Sequence, residues 1–426
     1  MDSIERGIRA GSLRSGERLP AIREVARELG ISPATVSGAY RRLQERGLVL
    51  SQGRAGTIVS SLAAVPAARA VSGVVGVTDC SVGNPDPKLL PALKAAFSSI
   101  RRCHTLYDAG PYHEELEQVG KSSFEKDGIV SRGICVVSGS LDGIERALAE
   151  VAYPGDRVAV EDPGFNGVLD LIRSRGLVPV PVEVDEDGMV PASLEKAMRL
   201  KLRALVITPR AQNPTGAALS KTRAKELRGL LQRHSELLVI EDDYSGAIAG
   251  VPYCGLCDSS RQRWVVIRSL GKTYGPDLRM ALLAGDDAMV DAIKRRQVLG
   301  VRWVSHWLQD LAAYFLKDSA TEKCVEKATR TYRERREALV NEFRERGLPV
   351  WGRSGFNVWL PVDDEAMVTQ HLLQRGWLVA SGRRYRLQSP PAIRITVAML
   401  APKQSSQLAE EVDIALRGAG EKSSPV

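Results

Sequence analysis

A chain of 426 residues exceeds what one hydrophobic core usually organises, so two or three domains are expected. Apolar residues make up 44% and charged residues 26%, an ordinary balance for a soluble globular protein, and no apolar run approaches the roughly 20 residues of a membrane helix. The net charge of +8 is compatible with a polyanionic partner, and six scattered cysteines without a framework spacing exclude a disulfide scaffold and suit a reducing compartment.

The first six residues, Met1 to Arg6, lack the apolar core of a signal peptide, so a cytoplasmic location is expected. Residues 1–60 read as one unit with ten arginines, no lysine and six acids. A helical stretch through Ile8 leads into a Gly/Ser turn. Leu19-Pro20 opens a second helix with Ile22, Val25, Ala26 and Leu29 on one face. Gly30 is placed for a left-handed cap. Ser32 suits the N-cap of a third helix, and Pro33 its first turn. Val36, Ala39, Tyr40 and Leu43 give that helix its apolar stripe. Residues 48–50 and 57–59 then read as two short strands around a Gly-rich turn, which predicts a helix-turn-helix followed by a β wing.

Residues 61–76 are small and nearly uncharged and read as a linker. From about residue 77 to 304, apolar runs alternate with turns and helical patterns. Candidate buried strands are 134–137, 157–160, 204–207, 237–240 and 264–267, and the alternation predicts a mainly parallel α/β sheet. Residues 305–420 mix helices with strands such as 357–360 and 393–397, as expected for a smaller α+β domain. Cys254 and Cys257 form a lone C-x-x-C, and with five histidines in the chain no metal site is expected.

In the head, the third helix would present its N-terminal residues to the major groove, with Ser32, Thr35 and Ser37 as donors to phosphates or bases. Arg23 in the second helix and Arg54 in the wing would reach phosphates or the minor groove. The motifs Leu19-Pro20-Ala21-Ile22-Arg23-Glu24-Val25-Ala26, Gly30-Ile31-Ser32-Pro33-Ala34-Thr35-Val36 and Gly53-Arg54-Ala55-Gly56-Thr57 resemble the GntR family of DNA-binding regulators. The chain departs from that pattern at Pro33, where the family commonly carries an arginine, and in its short first helix. Either departure could weaken DNA affinity or alter its preference.

The second part carries an ordered set of chemical groups. Lys272 sits in Ser269-Leu270-Gly271-Lys272, with Arg279 seven residues on. Asp242 and Tyr244 follow an apolar strand, Asn213 opens Asn-Pro-Thr-Gly, and Ser138-Gly139-Ser140 separates a strand from a helix. Phe165 follows Asp-Pro-Gly, and Arg394 lies in a late strand. Each alone reads as an ordinary surface or turn residue. Together they match what pyridoxal 5'-phosphate demands of a protein. Lys272 would supply the amine that condenses with its aldehyde. Asp242 would pair with the ring nitrogen, and Tyr244 and Asn213 would bond the ring oxygen. Ser269, Arg279 and the helix start at Ser138, Gly139 and Ser140 would cup the phosphate. Phe165 would stack on the ring, and Arg394 would take an amino-acid carboxylate. Side chains alternate along a strand, so Asp242 and Tyr244 share a face from which Asp243 points away.

The order and spacing of these groups resemble fold-type I aminotransferases over residues 80 to 415. The resemblance adds Tyr107 as a phosphate ligand contributed to the neighbouring subunit and implies a head-to-tail homodimer. Both modules in one chain identify it as a member of the MocR subfamily of GntR regulators. Segments 208–216 and 139–146 are most similar to PtsJ-type regulators of vitamin B6 salvage. Within that resemblance the linker is short, and Met280 replaces the glycine usual after the phosphate arginine. The resemblance implies a transcription regulator that responds to pyridoxal phosphate, a B6 vitamer or an amino acid while bound to double-stranded DNA. The alternatives are a working aminotransferase with a vestigial head, and a cofactor buffer that no longer binds DNA.

Overall fold

A computed structural model describes residues 2–9, 12–14, 16–45, 48–51, 56–59, 76–100, 104–257 and 261–420. The head contains helices Asp2–Arg9, Ile22–Leu29 and Pro33–Glu45 and an antiparallel ribbon of Val49–Ser51 with Thr57–Val59. Gly30 caps the second helix in the left-handed conformation (φ 62°, ψ 29°), where a side chain would be strained. Ser32 Oγ accepts the backbone N–H of Thr35 at 3.1 Å and so starts the third helix. Leu19, Ala26, Val36, Tyr40, Leu43, Leu48, Val49 and Val59 form a small core, and the Tyr40 hydroxyl donates to the Pro20 carbonyl at 2.8 Å. The wing turn at 52–55, with Arg54, and most of the linker lie outside the described residues.

The large sheet has eight strands in the order 134–137, 281–285, 264–269, 238–243, 202–207, 157–162, 178–185 and 188–189. The strand from Ala281 to Gly285 runs against both neighbours, and the end hairpin Val178–Asp185 with Gly188–Met189 is also antiparallel. The other pairings are parallel. Alternate residues of each strand feed two cores. Val239, Leu205 and Ile207 face helices Glu114–Glu125, Pro191–Met198 and Lys221–Leu231 on one side. Leu238, Ile240 and Ile267 face helices Ser140–Val151, Asn166–Ser174 and Asp287–Val298 on the other. The strand Val178–Asp185 is absent from the sequence expectation because it carries Pro179 and Pro181. Its neighbour Gly188–Met189 pairs only with Val184 and Asp185, so both prolines lie where the far edge is open.

A three-stranded antiparallel sheet of Asn357–Pro361, Ala392–Thr396 and Ala380–Ser381 organises the smaller unit, packed on the 27-residue helix Ser319–Glu345 and helices Glu365–Gln374 and Ser405–Gly420. Two segments cross the boundary expected at residue 304. The helix His306–Lys317 buries Leu311, Ala312, Ala313 and Phe315 in the large core. The short strand Thr78–Asp79 pairs with Trp377–Leu378, and Cys80 and Leu89 pack in the small core.

Candidate cofactor cavity and DNA-binding head

A cavity of about 370 Å³ opens at the C-terminal ends of strands Leu238–Asp243 and Trp264–Ser269, where ligands of open α/β sheets usually sit. Gly139, Ser140, Phe165, Asn213, Asp242, Tyr244, Ser269, Lys272, Arg279 and Arg394 all line it. The small sheet and the segment after the linker close the other side with Ser81, Gly83, Asn84, Asn357, Arg384 and Tyr385. The cavity thus holds four cations, Lys272, Arg279, Arg384 and Arg394, against one carboxylate, Asp242.

Lys272 sits on a single helical turn, Gly271–Tyr274, that follows its strand directly. Its Nζ donates to the Gly83 carbonyl. Burial, with the charges of Arg394 and Arg279 added, brings its amine down to about 8, so roughly a tenth is free base at neutrality, far more than for an ordinary lysine. Arg279 closes the same loop in a left-handed conformation (φ 44°, ψ 44°). Its guanidinium lies 3.4 Å from where a Cβ on Gly139 would stand, and Gly139 has φ 102°. Glycine at 139 therefore lets this arginine approach the start of the helix Ser140–Val151, where free backbone N–H groups favour an anion. The Ser140 hydroxyl is buried there without a hydrogen-bond partner among the described residues. Ser138 does not line the cavity and its N–H is taken by Asp142 at 2.9 Å, so the lining of the expected phosphate cup begins one residue later.

The two aspartates at the strand end point opposite ways. Asp243 is buried on the far face, where Arg210 donates to it at 2.8 and 2.9 Å and Arg268 at 2.8 Å. Burial alone would raise its carboxyl, but these two cations outweigh it and hold it far below the ordinary range. Asp242 faces the cavity, and one oxygen, Oδ1, is buried with no partner among the described residues. Burial pushes its carboxyl up to about 7, so a cationic N–H placed against it would restore the ionised form. Glu161, buried nearby on the neighbouring strands and bonded to Gln212 at 3.2 Å, is likewise pushed up to about 8.

The Tyr244 hydroxyl donates to the Ala211 carbonyl at 2.5 Å, which leaves it acceptor capacity toward the cavity. Arg394 donates to Asn213 Oδ1 at 3.1 Å and to the Ser81 carbonyl, its guanidinium carbon lies 4.8 Å from the Tyr385 ring centre, and its Nε has no partner among the described residues. Tyr107 does not reach this cavity. It is 78% exposed and packs beside Trp303 and Arg302. Arg384, Tyr385 and the segment 81–84 escaped the sequence reading; the only local hints were the turn residues Gly83-Asn84-Pro85 and an aromatic three residues after Gly382.

In the head, Arg23, Ser32 and Thr35 are exposed and Ser37 is half-buried. Ser32 and Thr35 also bond each other at 2.9 Å, so both hydroxyls sit at the solvent-facing start of the third helix.

The model of class I and II aminotransferases matches residues 75–412, and that of the gntR family of bacterial regulatory proteins matches residues 1–59. The chain belongs to the class I and II aminotransferase family. Its gntR head makes it a GntR transcription regulator of the MocR type, and the cofactor of such chains is pyridoxal 5'-phosphate. This MocR-type regulator is 37% identical over 97% of both chains to the vitamin B6 salvage pathway transcriptional repressor PtsJ of Salmonella typhimurium. It is 26% identical to the probable rhizopine catabolism regulatory protein MocR of Rhizobium meliloti over 80% of this chain and 75% of that one. Among solved structures, the kynurenine aminotransferase of Pyrococcus horikoshii superposes with a TM-score of 0.74 at 18% identity, covering 81% of this chain and 92% of that one. The multiple substrate aminotransferase of Thermococcus profundus gives 0.75 at 16% identity over 82% and 93%. The regulator therefore has an aminotransferase fold behind a DNA-binding head.

Proposed function

We propose that this chain is a cytoplasmic, homodimeric repressor that adjusts transcription of vitamin B6 salvage genes to the supply of pyridoxal 5'-phosphate. The observation that carries the reading is the pairing in one cavity of Lys272, with its lowered amine, and Asp242, with an unpartnered buried oxygen, in a chain whose head exposes Arg23, Ser32 and Thr35. The residues fit the cofactor. Ser269, Arg279, Gly139 and Ser140 would take its phosphate, Asp242 its ring nitrogen, and Asn213 and Tyr244 its ring oxygen. Phe165 would lie against its face, and Lys272 would hold its aldehyde carbon. When bound, the cofactor supplies an electron-accepting ring that a regulator can use as a recognition handle. Arg394 is left to hold the carboxylate of an amino-acid effector.

Dimerisation is supported by the apolar side chains displayed around Tyr107. Leu106 is 69% exposed, Leu299 88%, Val301 59% and Trp307 52%. A head-to-tail partner seated there would carry Tyr107 toward the other subunit's phosphate site. DNA contact through Arg23, the helix start at Ser32, Thr35 and Ser37, and Arg54 follows from the gntR resemblance.

A gel shift on the DNA upstream of the chain's own gene tests the proposal, with apo protein, cofactor-loaded protein and Lys272→Ala. Loading should change DNA affinity about 5- to 150-fold, the range of ordinary coupling energies, and Lys272→Ala should abolish the difference. Equal affinities in all three, beside brisk multiple-turnover transamination, would overturn the regulator in favour of an enzyme.

A further inference from the structure

We infer that Arg384 is a specificity-determining residue, which makes the cavity select an amino-acid ligand carrying a second anionic group, a carboxylate or a phosphate, on its side chain. The inference rests on the reading of the cavity as a pyridoxal-phosphate site and names the ligand that would join the cofactor there.

The case begins with how the turn Gly382–Tyr385 is held. Buried Glu365 accepts from the Ser381 hydroxyl at 2.5 Å, the Arg383 N–H at 2.7 Å, Arg386 Nε at 2.8 Å and the Ala392 N–H at 3.1 Å. The Tyr385 carbonyl accepts the Gly164 N–H at 2.7 Å, which ties the turn to the large unit. A Cβ on Gly382 would stand 2.3 Å from the Ala392 carbonyl, so the turn is also closed tightly against the small sheet. Its geometry is thus set by fixed neighbours and not by a ligand, as a recognition site requires.

Of the arginines in this stretch, Arg386 is neutralised by Glu365, and Arg384 is the one that lines the cavity. No acidic side chain pairs with Arg384 among the described residues. It lines the same cavity as Arg394, so the two positive charges oppose each other there. Like charges gathered at one mouth are unfavourable until an anion arrives for each. The cofactor phosphate falls to Arg279 and the helix start. An amino acid's α-carboxylate falls to Arg394, whose Nε has no partner among the described residues and whose Nη1 and Nη2 each donate one bond, to Asn213 and Ser81. That leaves Arg384, at the solvent side of the same mouth, for a group on the ligand's side chain. A guanidinium binds carboxylate and phosphate alike by paired charge-assisted hydrogen bonds, so the shared requirement is the anion.

The test titrates cofactor-loaded protein with L-glutamate, L-aspartate and O-phospho-L-serine, and with L-glutamine, L-asparagine and L-serine as their uncharged counterparts. The cofactor's visible absorption reports binding in each case. The anionic ligands should bind about tenfold more tightly than their counterparts, the low end for a hydrogen bond to a charged group because Arg384 is partly in water. Arg384→Gln should bring that ratio near one, and Arg384→Lys should keep part of it. Preference for phosphoserine alone or for the dicarboxylates alone would support the inference and name the anion. No preference in the wild type, or a ratio that survives Arg384→Gln, would overturn it while leaving the cofactor reading intact. A protein that binds no cofactor would overturn the cofactor reading and this inference with it, and a loaded protein whose absorption answers to no amino acid would overturn this inference alone.

Discussion

Replacing each of the adjacent aspartates by asparagine should separate stability from cofactor chemistry. Asp243 is fully buried and receives three hydrogen bonds from Arg210 and Arg268, while Asp127 bridges the same two guanidinium groups at 3.1 and 2.6 Å. Asp243→Asn would leave two buried cations sharing one partly exposed carboxylate. Breaking a buried ion pair from one side costs about 3–5 kcal/mol, and Asp127 keeps the loss near the lower figure. For a domain of this size that lowers the melting temperature by roughly 6–10 °C. Asp242→Asn breaks no ion pair among the described residues, where Oδ1 also has no hydrogen-bond partner. The folded carboxyl is raised from 3.8 to about 7, so it binds more protons folded than unfolded, and its contribution to stability falls as pH rises through that window. The asparagine form of the apo protein should therefore melt no lower than wild type at pH 8, with the difference fading at pH 5. Its cofactor band, by contrast, should shift and weaken. The assay is thermal unfolding of apo protein, which removes stabilisation by ligand, beside visible spectra of loaded protein. Equal destabilisation by both substitutions, or a cofactor band disturbed only by Asp243→Asn, would refute the assigned faces.

Two further outcomes follow from the same geometry. Borohydride reduction of loaded protein should fix the cofactor to Lys272, and uptake should quicken as pH rises toward about 8 and level off above it, because only the free amine condenses; label on another lysine, or uptake that slows over this range, would contradict the site. Arg23→Ala should weaken binding to every DNA sequence and lower the salt slope by about one unit, measured by titration at several salt concentrations; unchanged affinity would move the DNA surface elsewhere.

Most of the cavity was legible because its groups sit at strand ends. An apolar run fixes the strand, period-two alternation then separates Asp242 from Asp243, and Lys272 and Arg279 lie within one loop. The parts that escaped depend on contacts distant in sequence. Arg384 and Tyr385 lie on a turn whose position is set by Glu365 and Gly164, and no local pattern announces either contact. Ser138 reads like its neighbours, and only the folded structure shows that its N–H is committed to Asp142 and that it does not line the cavity. The helix His306–Lys317 has the composition of either unit, and its placement in the large core follows from packing against helix Glu114–Glu125.

How a ligand in the cavity reaches the DNA head can be argued from the segment that joins them. After the linker the chain enters the small unit at Thr78, whose N–H donates to the Gly376 carbonyl at 2.8 Å, and at Cys80, whose N–H donates to the Leu378 carbonyl at 2.7 Å. One residue later the same segment is in the cavity, where Arg394 holds the Ser81 carbonyl and Lys272 holds the Gly83 carbonyl. A cofactor that takes the Lys272 amine removes the partner of Gly83, and a carboxylate on Arg394 competes with Ser81. Binding is thereby set against contacts that anchor the chain leading to the head, which gives the ligand a differential affinity for two arrangements of that segment. Amide hydrogen exchange over residues 78–84 should speed up on loading with cofactor and again on adding an amino acid. In Lys272→Ala the segment should already exchange quickly, and cofactor should not change it. Exchange that is identical in apo and loaded wild-type protein, while DNA affinity still responds to the cofactor, would show that the signal travels by another path.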